Sequence, residues 1–284
     1  MDANFAGNLA FTAPSNLPPG RFFTGRIVMG VECVRKYAGF ISQTGSAGTL
    51  GAGDYLKKIF PRSKIVAGEA LQCPTLLLCG FGGHRIEGIG DKHVPWIHNV
   101  RNTDMVIAAD DNSCMNLVRL FNEPVGREFL IKRGVTEEVV EKLHLLGISS
   151  IGNLLCTIKF AKYYELTDRD IVITVWTDSM DLYKTRLKEM EKMFGPYSDL
   201  QASADYNRHL MGESTANIRE LGYYDKKQIH NLKYFTWIEQ QGKDLEELNA
   251  QWYDYPDYWN KIQCQVEDVD RLIEQFNDRT NMLM

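Results

Sequence analysis

The chain has 284 residues, 44% hydrophobic and 24% charged, with 32 Lys and Arg against 37 Asp and Glu for a formal net charge of -5. That balance supports one large or two smaller domains with buried cores. It excludes a general surface for nucleic acid or anionic membrane, which needs clustered positive charge. No apolar run approaches the roughly 20 residues that span a bilayer, and Met1-Asp2-Ala3-Asn4 begins no secretory leader, so the chain reads as cytoplasmic.

Residues 1–36 carry Pro14, Pro18, Pro19 and Gly20 without periodicity and read as an irregular lead-in or the remnant of a missing domain. Residues 37–194 alternate between strands and helices. Strands are predicted over 37–42, 64–70, 105–109 and 170–175, the last (Asp-Ile-Val-Ile-Thr-Val) being the clearest buried strand. Helices are predicted over 51–60, 112–121, 151–164 and 181–193. Such alternation implies an α/β domain with a mostly parallel sheet covered by helices on both faces, and ligands lie beyond the carboxyl ends of such strands. Residues 195–284 read as a helical, aromatic-rich extension. Ile229, Leu232, Trp237 and Ile238 suit one helical face, while Ile262, Val266, Val269, Ile273 and Phe276 follow a 4-3-4-3 spacing that marks a core or partner-facing stripe. Trp252, Tyr253, Tyr255, Tyr258 and Trp259 crowd around Pro256 as an anchor that docks the tail.

Cys33, Cys73, Cys79, Cys114, Cys156 and Cys264 form no CxxC pair and read as reduced, mainly buried thiols. Asp91, His93 and His98 share one segment without metal-ligand spacing, so no metal is expected.

The stretch Gln43-Thr44-Gly45-Ser46-Ala47-Gly48-Thr49 stands between a predicted strand and a predicted helix. Small residues opening a helix offer free N–H groups and the positive end of the helix dipole, which suit a phosphate. The loop lacks the Gly-Lys-Ser/Thr ending of a mononucleotide loop, the Gly spacing of a dinucleotide site, and the Gly-x-Ser-x-Gly of a serine nucleophile elbow.

Four segments in order nevertheless resemble the large-domain half of the fold-type-II pyridoxal-phosphate enzymes, the cysteine synthase and cystathionine beta-synthase family. Gly45-Ser46-Ala47-Gly48-Thr49 is similar to the family's Gly-Thr-Gly-Gly-Thr phosphate loop. His84-Arg85-Ile86-Glu87-Gly88-Ile89-Gly90 is similar to its His-Lys-Ile-Gln-Gly-Ile-Gly segment beside the substrate. Gly147-Ile148-Ser149-Ser150 matches a Gly-Ile-Ser-Ser turn, and Thr177-Asp178-Ser179 stands where a hydroxyl meets the pyridine nitrogen. The resemblance spans residues 37–187. It implies pyridoxal 5'-phosphate as cofactor, held by Gly45, Ser46, Ala47, Gly48, Thr49 and by Thr177 or Ser179, with His84, Glu87 and Gly88 next to a small amino-acid substrate. A neutral hydroxyl at the ring nitrogen suits beta-elimination and beta-replacement on a serine- or cysteine-like amino acid, whereas the Asp178 carboxylate there would favour transamination-like chemistry. Asp178-Ser179 also reads as a helix N-cap.

The family carries its Schiff-base lysine in a domain upstream of the phosphate loop, and no such lysine is identifiable here. Lys36, the first lysine, lies nine residues before Gly45 on the approach to the same predicted strand. The expectation is an incomplete or split member, inactive alone and completed by a complementary N-terminal-domain chain or by homo-oligomer formation. The alternative is a non-catalytic phosphate-ligand or protein-binding module that retains the large-domain fold.

Overall fold

A computed structural model of the chain describes residues 36–90 and 92–280. Cys33, Asp91 and the segment 1–35 lie outside the described residues. Five strands, β1 (Lys36–Gln43), β2 (Lys64–Ala70), β3 (Met105–Ala109), β4 (Asp170–Thr174) and β5 (Ile218–Glu220), form one sheet in the order β4-β1-β2-β3-β5. The first four are parallel, and β5 pairs antiparallel with β3. The expected mostly parallel α/β sheet is therefore present.

Parallel neighbours need crossovers. α1 (Leu50–Ile59) carries the chain from β1 to β2, and α2 (Thr75–Leu78) with a long loop carries it to β3. Between β3 and β4 run α3 (Asp111–Asn122), α4 (Pro124–Lys132), α5 (Glu137–Lys142) and α6 (Ile148–Tyr163). A 3-10 turn at Met180–Leu182 leads into α7 (Lys184–Phe194), followed by α8 (Asp199–Asp205) and a π-helical turn at Tyr206–Met211. After β5, α9 (Tyr223–Lys233) continues into a π-helical segment at Tyr234–Gln240, then α10 (Leu245–Tyr253), α11 (Asp257–Gln263) and α12 (Val266–Thr280).

The strand period of two sorts the core into two layers. Val66, Met105, Ile107 and Ala109 face α3 and α6, where Leu117, Leu120, Ile151 and Leu155 close the larger cluster. Ile65, Ala67, Val106 and Ala108 face the other way, onto Ala47 and Leu50 at the start of α1 and onto Val94, Val100, Leu221 and Ile229. The second layer thus joins the small-residue loop to the C-terminal extension. Among the described residues no helix is long and apolar enough to cross a membrane.

The sequence expectations for β2 and β3 match to the residue. Others need correction. The 170–175 run is not a buried strand: β4 is the sheet edge, and every residue in it is only half-buried. The C-terminal extension is helical as expected, with the addition of the three-residue β5 that completes the sheet. Cys73, Cys114 and Cys156 are buried, but Cys79 and Cys264 are exposed, because each ends a short helix at the surface. The stripe on α12 faces solvent: no residue of that helix is buried.

Candidate functional site

The four sequence segments meet at the carboxyl end of the sheet. β1 leads directly into the loop, whose base is set by Thr44: its N–H and its hydroxyl both donate to Gly68 O, at 2.8 and 3.0 Å. Ala47 takes a left-handed φ of 64°, and Leu50 N–H then donates to Ala47 O at 3.2 Å to start α1. The N–H groups of Gly45, Ser46, Ala47, Gly48 and Thr49 donate to no acceptor among the described residues. Five uncommitted donors stand at the first turn of a ten-residue helix that has no acidic residue in that turn. This arrangement suits an anion. Ser46 is exposed and its hydroxyl has no partner among the described residues, whereas Thr49 Oγ1 lies 2.6 Å from Ser42 Oγ.

The His84–Gly90 segment forms a wall beside the loop. Gly90 N–H donates to Thr44 O at 2.9 Å, and Gly88 O lies 3.1 Å from where a Cβ on Gly45 would stand. Gly90 has φ of +83°, and a Cβ there would come within 2.1 Å of His84 Nε2, so glycine is required on both counts. His84 Nδ1 is buried without a partner among the described residues. Glu87 is pinned by Arg186 of α7, whose Nε donates to Glu87 Oε1 at 2.6 Å. That carboxylate raises the Arg186 pKa.

Asn153 of α6 ties β1 to the end of β4: its Oδ1 accepts from Gln43 N–H at 2.7 Å, and its Nδ2 donates to Val175 O at 2.7 Å. The turn that starts α6 touches the next segment directly. Gly147 N–H donates to Asp178 O at 3.0 Å, and a Cβ on Gly147 would fall 2.0 Å from Asp178 Oδ1. The other Asp178 oxygen accepts from the Tyr183 hydroxyl. Burial, with this carboxylate second, raises the Tyr183 pKa. Thr177 is exposed, and Ser179 Oγ accepts from Asp181 N–H at 3.4 Å, capping the 3-10 turn.

Glu69, the penultimate residue of β2, lines a recess with Gly45 and is a member of the site that sequence reasoning missed. Its carboxylate accepts from Leu76 N–H at 2.9 Å and Leu77 N–H at 2.8 Å. Burial raises its pKa to about 7, partly offset by these amides. With Thr44, Gly45, Gly90, His93 and Pro95 it lines a recess of about 10 Å³, room for about one water. Asn153, Tyr183 and Arg186 were missed as well. The one available signal was a polar residue, Asn153, inside an apolar helical run. His93 stacks edge-on against Trp237 and His98 Nε2 lies 2.9 Å from Thr103 Oγ1, so the sequence cluster of histidines is spent on packing.

Cysteine synthase of Staphylococcus aureus is 29% identical over 163 residues, covering 55% of this chain and 46% of that protein. Cystathionine beta-synthase of Apis mellifera is 24% identical over 181 residues, covering 62% of this chain and 32% of that protein. The chain is a relative of the cysteine synthase and cystathionine beta-synthase family. It spans about half or less of the length of these curated relatives. No family model matches it. Among solved structures, a hydrogen sulfide-producing enzyme of Fusobacterium nucleatum is 26% identical with a TM-score of 0.42, over 60% of this chain and 45% of that one.

Pyridoxal phosphate is the cofactor this relationship implies. The residues present fit its phosphate, because the five loop amides and the Ser46 hydroxyl are donors without acceptors of their own among the described residues. Lys36, the first lysine of the sequence, is not placed to act as the Schiff-base lysine. That residue opens β1, about 25 Å from the loop for an eight-residue strand.

Proposed function

We propose that this chain supplies the phosphate-anchoring half of a pyridoxal-phosphate site for beta-elimination or beta-replacement on a serine- or cysteine-like amino acid. The lysine-bearing half then comes from outside residues 36–280. The observation that carries this reading is the convergence of residues 45–49, 84–90, 147 and 177–179 at one end of the sheet, around donors that nothing in the described chain satisfies.

When bound, the cofactor supplies an electron-withdrawing ring conjugated to the substrate nitrogen. The chain's own residues bind and orient. The loop amides and Ser46 Oγ–H hold the phosphate, and the start of α1 favours its charge. One oxygen of the Asp178 carboxylate accepts from Tyr183 and the other is buried beside Gly147 without a partner among the described residues; Thr177 or Ser179 would supply the neutral group at the ring nitrogen. Such a neutral partner would leave the ring a modest electron sink, in keeping with loss of a beta leaving group over transamination. The His84–Gly90 wall, fixed through Glu87 and Arg186, shapes the substrate side. Leu78, Phe81 and Leu182, exposed at 67, 76 and 72%, border these segments. Exposed apolar residues around a half-built site support docking of a second body there.

The test is titration of the chain with pyridoxal phosphate, read by absorbance between about 330 and 430 nm with and without borohydride. Reversible binding without a lysine adduct, lost in Gly48→Leu, is the expected result. An added Cβ on Gly48 meets only Ser46 Oγ, at 3.7 Å, so the substitution obstructs the anion position without disturbing the fold. A stable adduct on one lysine of this chain would overturn the split-site reading. Absence of any binding would leave a phosphate-free relative.

A further inference from the structure

β1 and β4 separate at the site, and one side chain stands in the gap. The sheet order β4-β1-β2-β3-β5 puts β2 and β3 on one side of β1, and the chain returns through α3 to α6 to lay β4 on the other. The carboxyl ends of β1 and β4 therefore flank the point where the winding reverses, which is where parallel sheets open a crevice for ligands. Residues 45–49 follow one of these ends and residues 177–179 follow the other.

The ladder between the two strands runs to Ile41 and Thr174, and Thr174 Oγ1 donates to Ile41 O at 2.8 Å. Continued by one more pair, a parallel ladder would set Gln43 N–H on Val175 O. The Asn153 amide lies between these two groups instead. Its Oδ1 accepts from Gln43 N–H at 2.7 Å and its Nδ2 donates to Val175 O at 2.7 Å. An inserted amide moves the two backbone groups from the about 2.9 Å of a direct hydrogen bond to at least about 5 Å. α6 comes this close because Gly152 has no side chain: a Cβ there would fall 2.3 Å from Gln43 Nε2. On the other side of β1 the ladder continues, with Gln43 paired to Gly68 and Thr44 N–H donating to Gly68 O at 2.8 Å. β1 is thus split from β4 and not from β2. Asn153 is 4% exposed, so its amide is held by the strands rather than by solvent.

We infer that Asn153 is a positioning residue, which keeps the ends of β1 and β4 one amide apart and so fits the distance between residues 45–49 and 177–179 to a phosphate carried on an aromatic ring. This role rests on the reading of the site as a pyridoxal-phosphate half-site, in which the loop holds the phosphate and Thr177 or Ser179 meets the ring nitrogen. Asn153 acts through the two backbones that it separates.

The test is calorimetric titration of the full chain with inorganic phosphate and with 4'-deoxypyridoxine 5'-phosphate, which carries ring and phosphate but no aldehyde and forms no imine with surface lysines. Wild type should bind the ring phosphate at least about tenfold more tightly than inorganic phosphate. Asn153→Ala lets Gln43 N–H close onto Val175 O. It should leave inorganic phosphate affinity within about twofold and reduce the preference for the ring phosphate at least about fivefold. Asn153→Leu keeps the volume of the wedge but leaves both backbone groups unpaired, so it should lower the urea midpoint more than Asn153→Ala while losing less of the preference. Losses in the same order for both quantities would mark a side chain that only stabilises the fold, and overturn the positioning role. So would an unchanged preference in folded Asn153→Ala, or a loss shared equally by the two ligands, and each of these leaves the cofactor reading intact. A wild type that binds the ring phosphate no more tightly than inorganic phosphate overturns the cofactor reading itself, and the positioning role with it.

Discussion

The two ends of the second core layer treat their polar groups in opposite ways. At the loop end, five backbone N–H groups and the Ser46 hydroxyl have no acceptor among the described residues. At the extension end, polar groups are buried and mostly spent on each other. Lys233 is fully buried, and its Nζ donates to Trp96 O at 2.9 Å, His98 O at 2.7 Å and Gln251 Oε1 at 2.7 Å. Trp237 Nε1 donates to Val94 O at 2.8 Å, and Arg101 Nη1 donates to Trp252 O at 2.6 Å. One end is satisfied by its own chain, and the other keeps donors that no described residue satisfies. A buried donor or acceptor left unpaired costs about 1–3 kcal/mol, whereas an exposed one is met by water at little cost. The proposed phosphate site therefore lies at the loop end, and the buried polar network lies in the extension.

Removing the lysine from the closed end should give the largest effect. Lys233→Met keeps the length of the side chain but deprives three acceptors of their donor, and it should destabilise the chain by about 3 kcal/mol or more in urea unfolding. Phosphate binding by the folded fraction should stay within about twofold of wild type. A loss of stability below about 1 kcal/mol would show that the carbonyls of Trp96 and His98 reach water.

The same contrast has a pH signature of opposite sign at the two ends. Glu69, beside the loop, is raised from 4.5 to about 7 by burial. The folded chain therefore keeps a proton that the unfolded chain has released, and the stability this brings is full below pH 4.5 and lost as pH rises through 7. Burial lowers His98 and His230 from 6.5 to about 3, with the Lys233 charge as the second cause. Their stability is full above pH 6.5 and lost as pH falls toward 3. Glu69→Gln should remove only the first dependence. The stability of wild type relative to this variant should fall by about 3 kcal/mol between pH 4.5 and 8. A flat difference would mean that Glu69 ionises freely in the fold.

The loop end was the more legible half in the sequence. Strands buried on both faces read as continuous apolar runs, which is why β2 and β3 could be bounded to the residue, and a run of small residues between strand and helix marks itself. The run at β4 is equally apolar, yet the strand lies at the edge. Hydropathy reports that a strand forms but not which neighbours it acquires. Asn153 and Glu69 escaped for a related reason. A polar residue in an apolar context becomes informative only when its partners, separated by 110 residues for Asn153 and Gln43, are brought together. β5 is three residues, Ile-Arg-Glu, too short to show a period. The α12 stripe was visible, but its exposure was not, because periodicity fixes a face without naming what covers it.

The smallest effect separates the two hydroxyls of the loop. Ser46 is exposed and has no partner among the described residues, so Ser46→Ala should change stability by less than about 0.5 kcal/mol. It should still weaken inorganic phosphate binding three- to tenfold, the worth of about one hydrogen bond to a charged acceptor in solvent. Thr49 is the reverse case. Its hydroxyl is held 2.6 Å from Ser42 Oγ, so Thr49→Ala should cost about 1 kcal/mol of stability and change phosphate affinity by less than about threefold. Calorimetric titration with phosphate alongside thermal unfolding of both variants reads the two quantities separately. If Thr49→Ala lost the affinity and Ser46→Ala the stability, the Ser42–Thr49 bond would be one that phosphate displaces, and the loop would not be preformed for its ligand. If the assignment holds, Ser46 alone among the loop hydroxyls is held in reserve, as the five amides beside it are.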